Sequence, residues 1–192
     1  MSETVLTESS CTATINAPIE FVDIPTWLFT LPDAEYQRCS PAHIAAAATT
    51  TDDGRRMSIN VETIGGELMV QHYVEDLGEK HHCRVLSTSD LLTPSGWTTT
   101  KVLWELSVRA LDAETCELTN HVIGSTTPEL LKALDKRGVS LEMAKASRGN
   151  ATPAHNAQET PFFAKSIEKK ALEAKASARK MQPVLTVKRS IA

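Results

Sequence analysis

The chain of 192 residues is poor in aromatic residues, has no long apolar run and has no paired cysteine motif. Aromatic residues make up 5% of the sequence. The longest run of small or apolar residues is Ile44–Ala48, whereas a membrane-spanning helix needs ~20 apolar residues. The four cysteines are widely spaced without a CxxC pair. We therefore expect no integral membrane association, and free, mostly buried thiols.

Targeting and nucleotide-binding signals are also missing from the sequence. The N-terminal segment contains neither the basic nor the apolar region of a signal peptide, so we expect a cytoplasmic protein. The net charge of −4 argues against a nucleic-acid partner, because nucleic-acid-binding domains usually carry a basic surface. No GxGxxG, GxxxxGK[ST] or GxSxG motif occurs, and we expect no cofactor.

Positive charge is concentrated at the C-terminal end of the chain. Residues 165–192 include eight basic and two acidic residues, a net charge of +6, which leaves −10 for the rest of the chain. Such a segment can meet a membrane surface, an acidic partner or the acidic body of its own fold, and a solvated helix face is the favoured interpretation. The sequence leaves a homodimer open.

Alternating apolar and polar residues predict a series of strands. Short turns join most of them, so we expect antiparallel neighbours. Residues 19–31 predict one kinked helix or two small helices, because Pro25 interrupts the segment. The predicted strands are Ser10–Asn16, His43–Thr51, Met57–Ile64, Leu68–Glu75, His81–Leu92, Thr98–Ala110 and Cys116–Ser125.

Two helical segments follow the strands. Thr127-Pro128 and Thr160-Pro161 each combine an N-cap residue with a following proline, which predicts helices over 128–147 and 160–181. The sequence between them, Arg148–Gln158, is rich in Gly, Asn, Pro and Thr and predicts a loop. Strands followed by helices indicate an α+β domain.

The segment Thr12–Phe29 resembles the opening of the START-like, or SRPBCC, superfamily. The resemblance rests on a strand that ends in Ala17-Pro18 and on Val22, Trp27 and Phe29 in the helical segment after it. It implies the helix-grip fold of birch pollen allergen-like and polyketide cyclase/dehydrase-like proteins. In that fold a curved antiparallel sheet, here of about six to seven strands, wraps around a long C-terminal helix.

On this basis we expect a single START-like domain at residues 10–181, between tails at 1–9 and 182–192. The second helical segment, 160–181, is the longer and better patterned of the two, so we expect it to cover the sheet. Because the fold usually has one helix at this point, residues 127–159 are interpreted as an insertion.

The resemblance implies a cavity between sheet and helix that binds a hydrophobic or aromatic small molecule, such as a lipid or a polyketide. The alternation of side chains along the strands gives candidate lining residues. His72 and Asn120 are polar members of apolar faces, and each either orients a ligand or is a buried residue satisfied by a neighbour. The candidate ligand-binding residues are Trp27, Val70, His72, Trp104, Leu106, Asn120, Val122, Phe163 and Ile167.

His81, His82 and Cys83, together with His72 and His121, are residue types that can bind a metal. Adjacent residues of a strand point to opposite faces, so His81 and His82 do not both reach one ion. The spacing also matches no standard zinc pattern. We therefore expect no metal.

Three functions stay open at this point. The first is a small-molecule-binding protein. The second is a polyketide cyclase or dehydratase that uses His72 as acid or base, with Asn120 or Tyr73 orienting the substrate. The third is an interaction or stress-type protein that uses the basic C-terminal helix. A His72 side chain in the cavity favours the second, and a cavity below ~300 Å³ favours the third.

Overall fold

Seven strands and four α-helices make up residues 4–181, which are the part of the chain that the computed structural model describes. A 3-10 turn, Ile19–Phe21, precedes the first helix. The strands are β1 (Val5–Ile15), β2 (His43–Thr50), β3 (Arg56–Ile64), β4 (Glu67–Glu79), β5 (His82–Thr93), β6 (Gly96–Ala110) and β7 (Cys116–Thr126). The helices are α1 (Ile24–Leu28), α2 (Asp33–Cys39), α3 (Pro128–Lys136) and α4 (Leu141–Met181).

All seven strands form one antiparallel sheet in the order β1-β7-β6-β5-β4-β3-β2. Strands β2 to β7 follow one another as a meander, and β1 closes the far edge against β7. The helix α4 packs against the sheet and contacts β1, β7 and β3. A curved sheet closed by a long C-terminal helix is the predicted helix-grip architecture, which is thereby confirmed.

The first strand begins at Val5, earlier than the sequence predicted, and pairs with β7 as far as Ile15. The polar run Thr-Glu-Ser-Ser hides the alternation of this strand, yet Leu6 and Ser9 are buried against the rest of the fold. The prediction of a tail over residues 1–9 is therefore wrong from Val5 onward. Residues 1–3 lie outside the described part of the chain.

The predicted loop Arg148–Gln158 is in fact the middle of α4. Gly, Asn, Pro and Thr have low helix propensity, but contacts with the sheet override it here. Asn156 is 1% exposed, and its Nδ2 atom donates to Oγ of Ser9 at 3.0 Å and to the carbonyl oxygen of Asn120 at 3.2 Å. Thr152 and Asn156 thus lie on the buried side of a helix, and the segment is not a solvated loop.

The helix before it, α3, starts as predicted and ends earlier. Oγ1 of Thr127 accepts a hydrogen bond from the backbone N–H of Leu130 at 3.0 Å, which is the predicted N-cap. The helix ends before Gly138, whose φ of 64° lies in the left-handed region. Since α4 begins at Leu141, the second half of the expected insertion over 127–159 belongs to the helix that covers the sheet.

The basic segment meets the body of its own fold. Nζ of Lys170 donates to the carbonyl oxygen of Thr26 at 3.1 Å, and Nζ of Lys175 lies 2.8 Å from a carboxylate oxygen of Glu114. One basic residue, Lys175, thus pairs with an acidic residue of the body, whereas Lys165, Lys169, Arg179 and Lys180 are exposed, as the favoured interpretation of a solvated helix face predicts. Residues 182–192, which carry the rest of the segment, lie outside the described residues.

The four cysteines agree with the prediction of free, mostly buried thiols. Cys39, Cys83 and Cys116 are buried and Cys11 is half-buried, and all four are free. Between residues 4 and 181, no helix is both long and apolar enough to cross a membrane.

Candidate functional site

A cavity of about 60 Å³ lies between the inner face of the sheet and α4. Apolar side chains form one part of its wall, and polar side chains converge on another. The apolar lining residues are Leu6, Ile64, Met69, Val102, Trp104, Val122 and Phe163. The polar ones include Thr7, Tyr36, Glu62, Gln71, Tyr73, Arg148, His155 and Glu159.

The volume of this cavity limits what it holds as it stands. One water molecule takes up ~10–15 Å³ by a comparable measure, so about 60 Å³ is room for several waters. A site for a drug-sized ligand has ~300 Å³ or more. The cavity is therefore a compact polar and apolar site that is too small for a lipid chain without movement of its walls. By the volume criterion given above, this outcome favours the interaction-type protein over a carrier of a large ligand.

Three of the predicted ligand-binding residues line the cavity, namely Trp104, Val122 and Phe163. Trp27, Leu106 and Ile167 are instead buried in the core. The Trp27 ring packs edge-on against Phe163 with ring centroids 5.3 Å apart. These three residues support the cavity wall and do not form it.

The prediction that His72 and Val70 face the cavity was wrong. On β4 the inward residues are Met69, Gln71 and Tyr73, and His72 lies on the outer face with Nε2 3.1 Å from a carboxylate oxygen of Asp90. Both faces of β4 carry apolar residues, so hydrophobicity alone does not identify the inner one. The side chain of His72 is 35% exposed, which removes it as an acid or base in the cavity.

Two histidines and two glutamates converge at the polar end of the cavity. His43 and Glu62 are directly opposite each other in the register of β2 and β3. His155 and Glu159 lie one turn apart on α4, so their side chains share one face of that helix. The helical packing brings the two pairs together, and their four ligand-type atoms lie within 4.8 Å of one another.

The imidazole Nε2 atoms alternate with carboxylate oxygens around this cluster. Nε2 of His43 lies 3.1 Å from Oε2 of Glu159 and 3.4 Å from Oε2 of Glu62. Nε2 of His155 lies 3.0 Å from Oε2 of Glu62 and 3.2 Å from Oε2 of Glu159. Although these distances are short, Nε2 of His155 has no properly directed hydrogen bond to any residue within 4–181. The four atoms therefore surround a common point.

A second layer of contacts fixes the orientation of the cluster. Nδ1 of His43 lies 2.8 Å from the carbonyl oxygen of Tyr36, and since a carbonyl only accepts, Nδ1 carries the proton. Nδ2 of Asn120 donates to Oε1 of Glu159 at 3.2 Å, and Oδ1 of Asn120 accepts from Nε1 of Trp104 at 2.8 Å. Asn120, predicted as a ligand contact, thus holds a cavity carboxylate in position.

Burial and the close contacts within the cluster shift the pKa of His155 and that of Glu159. Burial disfavours the charged imidazolium of His155, but the close carboxylates of Glu159 and Glu62 outweigh it and raise its pKa to about 10. Burial likewise acts against the charged form of Glu159, but its contacts with His155 and His43 lower its pKa. The neighbouring imidazoles thus favour the charged form of Glu159.

A cation on α4 completes the polar wall. Arg148 lines the cavity, its side chain is 15% exposed, and it forms an ion pair with Glu67. Arg137 also approaches Glu67, with Nη1 3.9 Å from Oε1. Since Glu67 satisfies Arg148, this cation does not neutralise the two carboxylates of the cluster.

The residues of the cluster were not found from the sequence, although a signal for them exists. His155 and Glu159 have the i, i+4 spacing that places two side chains on one face of a helix, but the segment was interpreted as a loop. His43 and Glu62 flank a predicted hairpin symmetrically. A register shift between His43 and Ala45 places the pair opposite each other, and such a shift is not visible in the sequence.

Comparison with known proteins identifies the fold. The Zhui aromatase/cyclase from Streptomyces sp. R1128 is similar over 92% of this chain and 98% of its own, with 12% sequence identity and a TM-score of 0.61. The di-domain ARO/CYC StfQ from the steffimycin biosynthetic pathway is 11% identical over 90% of this chain, with a TM-score of 0.53. The chain spans about half of that protein, 52% of its length.

Comparison of the sequence with protein-family models and with curated proteins gives no match. At these identities the structural similarity establishes the fold alone. The chain shares the fold of these two structures, a curved antiparallel sheet closed by a long C-terminal helix, which is the fold that the resemblance of Thr12–Phe29 implied.

Proposed function

We propose that this chain binds a compact, oxygen-bearing aromatic molecule in the cavity between sheet and helix. One observation carries the proposal. Three buried polar atoms without a hydrogen-bond partner in the described residues belong to the lining of this one cavity: Oγ1 of Thr7, Oε1 of Gln71 and Nε2 of His155. Unpartnered buried polar atoms cost ~1–3 kcal/mol each, and a bound polar molecule or water supplies the missing partners.

The apolar wall of the cavity indicates the shape and polarity of the rest of the ligand. Trp104 and Phe163 have ring centroids 5.8 Å apart and line the same side as Val102 and Val122. Such a wall favours a flat, apolar body. The cavity of about 60 Å³ favours one or two rings over a lipid chain, and entry requires long flexible side chains such as Arg148 and Met69 to move.

Native mass spectrometry before and after organic extraction is the first test. A co-purified small molecule that is lost on extraction supports the proposal and reports the ligand class. Calorimetric titration with 2-naphthol, naphthalene and palmitate then compares the chemistries. We expect 2-naphthol to bind more tightly than naphthalene, and palmitate not to bind.

Neighbouring residues of β7 provide a matched control. Val122 lines the cavity, whereas Ile123 does not. Val122→Phe fills the space and should weaken 2-naphthol binding at least tenfold, while Ile123→Phe should leave it within about twofold. Gln71→Leu should remove the preference for 2-naphthol over naphthalene, because it removes an unpartnered polar atom. Equal losses in both β7 variants, with folding confirmed by circular dichroism, would contradict the proposal.

A second candidate is an enzyme of cyclase or dehydratase type that uses the same cavity. It is favoured by the convergence of a phenol, Tyr73, with two carboxylates and the imidazole of His155 on one cavity, which exceeds what orientation of a ligand requires. The reaction is an intramolecular aldol condensation, in which a carbon–carbon bond forms between a methylene and a carbonyl carbon and one water leaves. Incubation with a synthetic linear tri-β-ketone tests it by mass spectrometry.

The two candidates differ in the mass of the added compound. An enzyme yields a product lighter by one water, at a rate above that of the compound alone, and a binding protein returns the compound unchanged. Tyr73→Phe should slow the reaction, and His72→Ala on the outer face should not change it. A reaction lost in His72→Ala but kept in Tyr73→Phe would contradict this assignment.

A further inference from the structure

We infer that His43, Glu62, His155 and Glu159 form a binding site for one divalent transition-metal ion at the polar end of the cavity. These four side chains come from β2, β3 and α4, and their ligand-type atoms face a common point. Imidazole nitrogen and carboxylate oxygen are donors that zinc accepts in proteins.

The spacing of the donor atoms fits a four-coordinate ion. Metal bonds of ~2.0–2.1 Å in a tetrahedral site place neighbouring donors ~3.3–3.4 Å apart. The four nitrogen-to-oxygen separations around the cluster range from 3.0 to 3.4 Å. Four of the six donor pairs are thus already at about the distance that a small divalent ion requires, and the remaining two pairs lie within 4.8 Å.

The charge of the cluster balances with such an ion. Glu62 and Glu159 have side chains that are 6% and 8% exposed, and a buried carboxylate needs a compensating charge. Arg148, the cation in the same lining, is paired with Glu67. Two neutral imidazoles, two carboxylates and one divalent ion have no net charge, which is the least costly state for a buried site.

The orientation of both imidazoles supports coordination. Because Nδ1 of His43 donates to the carbonyl oxygen of Tyr36, Nε2 is the ring nitrogen that faces the two carboxylates and can bind an ion. Nε2 of His155, on a side chain that is 10% exposed, is directed into the cluster without a hydrogen bond to the described residues. Nε2 of each ring and the two carboxylates thus face one point, where an ion that displaces the imidazole protons finds four donors.

Outer contacts of the kind found at metal sites are also in place. Asn120 holds Oε1 of Glu159 at 3.2 Å, which leaves Oε2 free to face the cluster. The ring of His43 stacks on Tyr36 with centroids 3.9 Å apart. Such contacts orient ligands before the ion binds. Because Glu62, His155 and Glu159 line the cavity, the ion is accessible from it.

Titration of the chelator-treated protein with zinc alone tests the inference. We expect one zinc per chain with a Kd below about 1 μM, and cobalt to give the intense visible absorption of a four-coordinate site. His155→Ala should weaken zinc binding at least about 100-fold, since loss of an outer contact alone costs ~10–100-fold. Glu159→Gln keeps the side-chain volume and should show a similar loss.

A surface histidine that lies between two glutamates serves as the matched control. Nε2 of His121 lies 3.0 Å from a carboxylate oxygen of Glu8, and its Nδ1 lies 3.5 Å from Oε2 of Glu105, on the exposed side of the sheet. His121→Ala should leave zinc affinity within about twofold. If His121→Ala loses as much affinity as His155→Ala, the ion binds at the surface and the inference is wrong.

X-ray absorption of the zinc-loaded wild-type protein keeps the inference testable if the cluster variants do not fold. The expected spectrum shows nitrogen and oxygen donors with two imidazoles, and fewer imidazoles or a sulfur donor would overturn it. A wild-type protein that takes up no stoichiometric metal would show a cluster held by protons alone. Because no organic molecule is used, these failures leave the proposed ligand binding untouched, and failure of the organic probes leaves the metal site standing.

Discussion

Nε1 of Trp104 donates a hydrogen bond to Oδ1 of Asn120 across 2.8 Å, which ties β6 to β7 behind the cavity. Asn120 is fully buried and passes its own N–H to Glu159 at 3.2 Å. A single indole thus begins a chain of contacts that reaches the His/Glu cluster. The sheet, and not the helix alone, determines where the carboxylate of Glu159 lies.

Replacement of that indole tests the chain of contacts. Trp104→Phe keeps an aromatic ring but leaves Oδ1 of Asn120 without its donor, so we expect a loss of about 1–3 kcal/mol in the free energy of unfolding. Trp97 on the same strand is 60% exposed, and Trp97→Phe should change stability by less than ~0.5 kcal/mol. Urea denaturation measures both, and equal effects would show that the hydrogen bond contributes nothing.

Substitutions of two asparagines test whether the middle of α4 is helical. Asn156→Ala removes the donor to Ser9 and to the Asn120 carbonyl and should cost about 1–3 kcal/mol. Asn150 is exposed in the same segment, and Asn150→Ala should leave stability unchanged or raise it by up to ~0.7 kcal/mol, because alanine is the better helix former. A stability loss at Asn150→Ala would favour the loop that the sequence predicted.

The architecture could be predicted from the sequence because the alternation of residues and the turn residues agree with the strands and turns of the fold. On β6 the residues Thr98, Val102 and Trp104 alternate with exposed ones, and they are buried as expected. Short turns with suitable residues determined the antiparallel order. These features depend on neighbours in the chain, so the sequence alone is sufficient to predict them.

The site was not accessible in the same way, since it depends on contacts between distant segments. His155 and Glu159 lie in a segment whose composition predicts a loop, and only packing against β1 and β7 makes that segment helical. The sequence predicts His72 on the inner face of β4 because the residues on the same face as His72 are apolar, although that face is the outer one. Around a partly polar cavity, polar side chains can be more buried than apolar ones on the outer face. Gln71, which is 3% exposed, is an example.

The buried thiols give a prediction about pH. Burial, with a smaller contribution from the charge of Glu75, raises the pKa of Cys83 from 9.0 to about 12. The unfolded chain therefore loses this proton first as the pH rises. The stabilisation is fully present below about pH 9 and is lost as the pH approaches 12, so the midpoint of urea denaturation should fall over that interval.

Thiol labelling checks the same groups at neutral pH. Cys11 is half-buried and should react with a disulfide reagent in the native protein, whereas Cys83 at 1% exposure should react only after unfolding. Cys11→Ser should abolish native-state labelling. Rapid labelling that persists in Cys11→Ser would mean that a buried thiol is accessible, contrary to the packing of the core.

Two arginines that share Glu67 test whether Arg148 limits the size of the cavity. Arg148 lines the cavity and Arg137 does not, although both approach the same carboxylate. Arg148→Ala should expose ~40 Å² of additional apolar wall to a bound aromatic molecule, worth about 1 kcal/mol, and so tighten the binding of 2-naphthol about fivefold. The probe is neutral at neutral pH, so loss of the cation does not itself alter its affinity.

Calorimetry on the two variants separates cavity volume from surface charge. Arg137→Ala removes the same charge from the neighbourhood of Glu67 and should leave the affinity for 2-naphthol within about twofold. Because the ion pair of Arg137 is partly exposed and long, at 3.9 Å, its loss should cost less than ~1 kcal/mol of stability. If Arg148→Ala binds the probe no more tightly than Arg137→Ala does, the Arg148 side chain is not what restricts the cavity, and movement of α4 itself must admit the ligand.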